Sequence, residues 1–129
     1  MARSIPHITE AEFRLMKVLW RLGAGTVRDV KTEIEKEAGE NPAYTTIMTL
    51  LNQLAEKGAL KVDRARQPYV YRPALRRESV LGERLTQFLQ TVFDGQAGEL
   101  VLRLAEQADL SSDDIKRIEA WIEHRERQS

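Results

Sequence analysis

Hydrophobic residues recur at helical spacing along the first third of the chain. Thr9 and Glu12 form a capping box, which predicts that a helix starts at Thr9. The apolar stripe that follows ends at the glycine-rich segment 23–25. Thr26 can cap a second helix, which ends near Gly39. The pattern therefore predicts two short helices with a tight connection between them.

A third helix and a β-hairpin follow. Pro42 suits the first turn of this helix, and a glycine ends it. Leu60–Asp63 alternates between apolar and charged residues, and Tyr69–Arg72 is rich in strand formers. The segment between them, Arg64–Pro68, is a polar turn with two Arg. This order of elements is that of a winged helix, so residues 1–75 are predicted to form a winged-helix DNA-binding domain.

The remaining residues, 76–129, are predicted to be helical, with a break at Asp94-Gly95. About 50 residues are too few to bury a core of their own. We therefore expect their apolar stripes to form a homodimerisation region, with packing against the first domain of a monomer as the alternative. The predicted dimerisation residues are Leu81, Leu85, Phe88, Leu89, Val92, Phe93, Leu100, Val101, Leu104, Ile115, Ile118, Trp121 and Ile122.

Composition narrows the class of protein. The 129 residues include 20 basic and 20 acidic side chains, two His and no Cys. A chain without Cys has no disulfide framework and no thiolate metal site. No stretch has the apolar length of a signal peptide or of a membrane span. The sequence therefore predicts a cytoplasmic protein that is mainly α-helical, with a small β-hairpin wing.

Charge and side-chain type single out the third helix and the hairpin. Residues 42–77 contain seven bases and only two acids, an excess expected where a chain meets phosphates. At 100° per residue, the third helix divides into an apolar face and a polar face with no acid until Glu56. The apolar face consists of Ile47, Leu50, Leu51 and Leu54.

The polar face carries side chains that can contact DNA. Asn and Gln can bond adenine at two atoms, and Thr can donate to phosphate while its methyl group packs on thymine. Each of these residues could instead be a helix cap or an ordinary surface residue. The candidate DNA-binding residues of the helix and the wing are Tyr44, Thr45, Thr46, Met48, Thr49, Asn52, Gln53, Lys61, Arg64, Arg66 and Tyr69.

Longer segments of the chain resemble a known family. ITEAEFRLMKVLW, YTTIMTLLNQLAEKGAL, YVYRP and the later FDG are similar to the penicillinase repressor (BlaI/MecI/CopY) family of winged-helix regulators. The resemblance implies a dimeric transcriptional repressor that binds a palindromic operator in double-stranded DNA. It matches Thr45, Thr46 and Thr49 to recognition-helix positions and places Arg64, Arg66 and Tyr69 in the wing.

The signals known for that family do not carry over to this sequence. The β-lactam-responsive members are cleaved at an Asn-Phe bond by a membrane sensor protease, whereas this chain has Arg103-Leu104 at that place. The copper-responsive members have a Cys-rich metal site, and this chain has no Cys. Asn52 and Gln53 differ from the hydrophobic and Arg residues that are commoner there. We therefore expect the operator preference to differ from that of the family. The sequence gives no prediction of the inducing signal.

No catalytic constellation stands out in the sequence. His7 and His124 lie at opposite ends of the chain, and no glycine-rich phosphate loop is present. We expect no enzyme, no metal ion and no cofactor. The alternative to a repressor is an adaptor that uses a winged helix to bind another protein. DNA binding would weaken steeply with salt, whereas adaptor binding would not.

Overall fold

The computed structural model describes residues 5–129, which form six helices and one two-stranded sheet. The chain divides into two compact units, one ending at Arg84 and the other spanning Leu85–Ser129. This is the mainly helical fold with a hairpin wing that the sequence predicts. The elements are α1 (Glu10–Leu22), α2 (Val27–Ala38), α3 (Tyr44–Glu56), β1 (Leu60–Asp63), β2 (Val70–Pro73), α4 (Arg77–Phe93), α5 (Ala97–Gln107) and α6 (Ser112–Gln128).

Side-chain caps start the first two helices where the sequence predicts. The Glu12 backbone N–H donates to the Thr9 hydroxyl at 3.1 Å, and the Thr9 N–H donates to the Glu12 carboxylate at 2.9 Å. Thr26 and Asp29 form the same reciprocal pair at α2. Gly39 ends α2 with a left-handed φ of 64°, a conformation that favours glycine. Each cap contributes about 1 kcal/mol to helix stability.

The third helix begins after Pro42, so the prediction that Pro42 lies in its first turn is wrong. The N-cap is Ala43, whose backbone is extended with φ −67° and ψ 140° and whose side chain makes no capping bond. The extended residue keeps Pro42 outside the helix, and α3 starts at Tyr44. At its other end, Gly58 follows the C-cap residue Lys57 with a φ of 83°.

The hairpin is joined to the helices through Tyr71. β1 and β2 pair antiparallel, with Val62 opposite Tyr71. The Tyr71 N–H donates to the Gly25 carbonyl at 2.8 Å, and the Gly25 N–H donates to the Tyr71 carbonyl at 2.9 Å. The turn before α2 therefore forms a short bridge with β2, and the Tyr71 side chain is buried in the core.

The core of the first unit lies between α1, α2, α3 and the hairpin. It extends past residue 75 to Val80 on the first turn of α4, and the Trp20 indole N–H donates to the Leu75 carbonyl at 3.0 Å. The division between residues 75 and 76 stays a prediction. The buried apolar residues are Ile8, Leu15, Met16, Val18, Leu19, Val27, Val30, Ile34, Ile47, Leu51, Leu54, Ala59, Leu60, Tyr71, Leu75 and Val80.

The second unit contains the end of α4 and the whole of α5 and α6. The chain leaves α4 through Asp94 and Gly95, whose φ values are 50° and 80°. Ser111 caps α6 in a reciprocal pair with Asp114. No residue of α5 or α6 is buried. The helical segments and the break are those that the sequence predicts.

An ion pair between a buried carboxylate and a partly exposed lysine joins α1 to the end of α3. Glu12 is 1% exposed, and the Lys57 ammonium donates to its carboxylate at 2.5 Å and to the His7 carbonyl at 2.9 Å. Burial alone would raise the pKa of Glu12. The hydrogen bonds from Lys57 and Thr9, with the Lys57 charge, outweigh burial and hold that pKa below its usual range.

Replacing Lys57 with Met should lower the free energy of unfolding near pH 7 by about 1–3 kcal/mol, because it leaves a buried carboxylate unpaired. The depressed folded-state pKa of Glu12 means that the stabilisation is present above the unfolded-state pKa of about 4.3 and is lost as pH falls through the folded-state value. The deficit of the variant should therefore shrink in acid. Urea unfolding at neutral and acidic pH measures it.

Lys17→Met is the matched control, because Lys17 is exposed on α1 and has no acid within the 4.0 Å salt-bridge distance among the described residues. It should change stability little at either pH. A deficit of Lys57→Met that is equal at both pH values would show that the lost interaction is not ionic.

Candidate nucleic-acid interface

The third helix turns its apolar face to the core and its polar face to solvent. Ile47, Leu51 and Leu54 are buried, and Leu50 is partly buried against them. The predicted DNA-binding residues of this helix all lie on the exposed side. They are Tyr44, Thr45, Thr46, Met48, Thr49, Asn52 and Gln53. The fold therefore brings these side chains together on one helix, while their contact with DNA stays a prediction.

The predicted wing residues are exposed beside this helix. Lys61 lies on β1, and Arg64, Arg66 and Tyr69 lie in the turn between the strands. The Arg64 guanidinium is 5.9 Å from the centre of the Tyr69 ring, within the range of a cation–π contact. An open cleft separates α3 from the wing. Its lining includes Asn52, Glu56, Leu60, Val62, Arg64 and Tyr69.

Bases on the wing and just after it have no acidic partner in the described part of the chain, unlike four of the bases on α1 and α2. Arg14, Arg21, Lys31 and Lys36 each form a salt bridge with a glutamate on or just after α2. Among residues 5–129, by contrast, no acid lies within 4.0 Å of any base between positions 61 and 77. These bases are Lys61, Arg64, Arg66, Arg72, Arg76 and Arg77. Their charge is therefore available to an external anion.

The strand register adds Arg72, which the sequence-based list of candidates omits. Arg72 on β2 lies directly opposite Lys61 on β1, and both side chains are exposed. Like charges in direct cross-strand pairs destabilise a sheet. The alternation of residues in each strand was visible in the sequence, but the pairing depends on the register, which a turn of uncertain geometry does not give.

Arg28 is a second residue that the sequence-based list omits. It is exposed on α2, and its guanidinium lies 6.0 Å from the centre of the Tyr44 ring at the start of α3. It has no acidic partner among the described residues. Because the contact joins two helices, no local sequence pattern could have indicated it.

Asn52 contacts the wing as well as solvent. The buried Tyr71 hydroxyl donates to Asn52 Oδ1 at 2.8 Å. Burial raises the pKa of Tyr71, so its hydroxyl is a protonated donor at neutral pH. The sequence-based interpretation treats both ends of the Asn52 amide as available to adenine. In the structure the oxygen already accepts a hydrogen bond from Tyr71.

Other kinds of site find no support in the described part of the chain. Residues 5–129 contain no group of three His, Asp or Glu side chains placed to hold a metal ion. Within the same range, no helix combines the length and the apolar character needed to cross a membrane.

The second unit exposes many large apolar side chains. Ten of them, on α4, α5 and α6, are between 45% and 65% exposed. Nine are predicted dimerisation residues: Leu85, Phe88, Val92, Val101, Leu104, Ile115, Ile118, Trp121 and Ile122. The tenth is Leu102, which the sequence-based list omits. The other predicted positions, Leu81, Leu89, Phe93 and Leu100, are partly buried, and Leu81 belongs to the first unit.

Comparison with known proteins gives consistent matches along the chain. Residues 8–124 match the penicillinase repressor family. The penicillinase repressor of Bacillus licheniformis is 29% identical over 121 residues, which cover 94% of this chain and 93% of that protein. The methicillin resistance regulatory protein MecI of Staphylococcus aureus (strain N315) is 25% identical over 112 residues, 87% and 89% of the two chains.

A solved structure supports the fold over almost the full length. RosR of H. salinarum superposes with a TM-score of 0.51 and 20% sequence identity, covering 98% of this chain and 100% of that chain. At this identity the likeness concerns the fold alone.

The cross-strand pair of like charges leads to a stability prediction. Arg72→Glu should raise the free energy of unfolding by about 0.2–1 kcal/mol, because Lys61 then faces an opposite charge. Urea unfolding at low salt measures the gain, which should shrink at high salt. Arg66→Glu makes the same charge change in the turn, where no residue is paired across the strands. An equal gain in both variants would show that the cross-strand pair is not its source.

Proposed function

The chain belongs to the penicillinase repressor family, and from this premise we propose that it is a DNA-binding transcriptional repressor that acts as a homodimer on a palindromic operator. The observation that carries the proposal is the charge arrangement of one surface. The exposed face of α3, which carries no acid before Glu56 in its last turn, lies beside a hairpin whose bases have no acidic partner among residues 5–129. Such a surface fits a polyanion whose base edges are accessible in a groove.

The helix and the wing would contact different parts of the DNA. A major groove about 12 Å wide admits one α-helix, so the exposed face of α3 would meet base edges through Thr45, Thr49 and Gln53. Lys61 and Arg72, on the exposed face of the hairpin, would meet phosphates. Phosphate contacts would also relieve the repulsion between these two cations. The wing thus supplies affinity, while the helix supplies sequence discrimination.

The apolar surface of the second unit supports the homodimer. A chain that exposes ten large apolar side chains on three short helices gains stability when a partner covers them. A symmetric pair would present two recognition helices to two half-sites of opposite orientation. Their spacing should then be about one helical turn of DNA or a multiple of it. A dimer bound at a promoter would exclude RNA polymerase. It would act in the cytoplasm, where the chromosome is.

The inducing signal does not follow from the family membership. Arg103-Leu104, the pair at the cleavage position expected from the resemblance, lies inside α5, and Arg103 forms a salt bridge with Glu99 at 3.8 Å. Nothing about this helix favours a sensor protease as a partner, and we propose none.

The proposed function predicts sequence-specific, salt-sensitive binding of the full-length protein. Fluorescence anisotropy should show two chains bound per site on the DNA upstream of its own gene. Random DNA of equal length should bind more weakly, and the difference should persist when salt is raised. Equal, weak binding to both DNAs would overturn the proposal. Salt-insensitive binding to a protein partner would favour the adaptor instead.

The proposed interface predicts that acidic residues on the apolar surface separate the dimer. Leu85→Asp combined with Phe88→Asp should shift the protein from twice 14.8 kDa to 14.8 kDa in sedimentation experiments. Operator affinity should fall with it, because each half-site would bind alone. Thr86→Asp combined with Gln87→Asp adds the same charge to exposed polar positions of α4 and should leave the dimer intact. A dimer that persists in the first variant would contradict this placement of the interface.

A further inference from the structure

We propose that Tyr71 is a positioning residue for base recognition. It holds the Asn52 side-chain amide so that its amino group, and not its oxygen, faces the DNA. Asn52 would then select a base that presents a hydrogen-bond acceptor in the major groove. This inference rests on the proposed function and specifies how one of its residues reads DNA.

The orientation of the Asn52 amide follows from the burial of Tyr71. Tyr71 is 2% exposed, and Asn52 Oδ1, at 2.8 Å, is the acceptor that the described residues offer its hydroxyl. A rotated amide would place an N–H₂ donor there and leave the hydroxyl proton buried without an acceptor. Because a buried unpaired donor is costly, the oxygen stays turned toward Tyr71.

The position of Tyr71 is itself fixed. Its backbone N–H and carbonyl both bond to Gly25, and it pairs with Val62 across the hairpin. Its side chain is among the largest fully buried groups of the protein. The hydroxyl therefore cannot follow Asn52 if that side chain turns toward a base.

The fixed amide limits what Asn52 can recognise. Reading adenine at two atoms requires an oxygen that accepts from N6 and an amino group that donates to N7. With its oxygen held toward the buried hydroxyl, Asn52 presents to the DNA the amino group on the other side of the amide, with its two N–H donors. Acceptors on guanine and thymine, and N7 of adenine, suit these donors. Cytosine, which presents an N4 donor in the major groove, does not.

Two substitutions change this preference in different ways. Tyr71→Phe keeps the ring in the core but frees the amide to rotate, so discrimination against cytosine at one position of each half-site should fall at least about fivefold. Asn52→Asp keeps an acceptor for Tyr71 but removes the donor. At the same position it should reverse the preference toward cytosine, whose N4 group donates to carboxylates.

Selection of bound sequences from a randomised double-stranded DNA library tests the inference with the full-length protein. Wild type, Tyr71→Phe and Asn52→Asp are compared with Ile34→Val, a core variant of α2 that controls for a mild loss of stability. In Tyr71→Phe and Asn52→Asp, the base preference should change at one position of the half-site, the same in both variants. In Ile34→Val, the selected motif should be that of wild type.

The outcomes separate this inference from the proposed function. If wild type enriches a palindromic motif and Tyr71→Phe enriches the same motif with unchanged preferences, the positioning role of Tyr71 is overturned while the repressor stands. If wild type enriches no motif, sequence-specific recognition itself fails. Should Tyr71→Phe not fold, Asn52→Asp alone decides, and unchanged preferences in that variant overturn the inference.

Discussion

The buried Tyr71 hydroxyl and its bond to Asn52 link the parts of the protein that would meet DNA. The backbone of Tyr71 bridges to Gly25 before α2, its ring fills the core, and its hydroxyl bonds to α3. One residue of the wing thus joins the hairpin both to the turn before α2 and to α3. A two-stranded hairpin by itself is marginally stable in water, so these bonds add to the core packing of Leu60 and Tyr71 in holding the wing in place.

The distribution of charge complements this packing. Acids on or just after α2 neutralise bases on α1 and α2, and the buried Glu12 carboxylate holds Lys57 at the end of α3. The bases of the wing, in contrast, have no acidic partner among the described residues. A chain with a formal net charge of zero therefore presents a locally positive surface, and the fold loses some stability there through the pairing of Lys61 with Arg72. Stability given up at one surface is typical of a binding site.

Local patterns in the sequence were enough for the helices and the helix face. The Thr9 and Thr26 caps act within three residues, and the 3.6-residue period placed Ile47, Leu51 and Leu54 in the core. The prediction for Pro42 was wrong because proline is compatible both with the first turn of a helix and with a position just before it. Such a choice depends on packing that a local pattern does not contain.

Contacts between distant residues explain what the sequence could not provide. The partner of Asn52 is 19 positions away on another element, and the opposition of Lys61 and Arg72 depends on the register of the hairpin. Arg28 reaches Tyr44 only because α2 packs beside the start of α3. The sequence therefore indicated which residues were suited to DNA, but the fold decides how each of them is presented.

An NMR titration of the isotope-labelled full-length protein with its operator duplex tests the central claim most directly. The account predicts that the largest changes in chemical shift fall on the exposed face of Tyr44–Gln53 and on the hairpin from Lys61 to Arg72. Residues on the outer face of α1 should show little change in chemical shift. Changes confined to α1, α5 or α6, with the third helix and the hairpin unaffected, would contradict it.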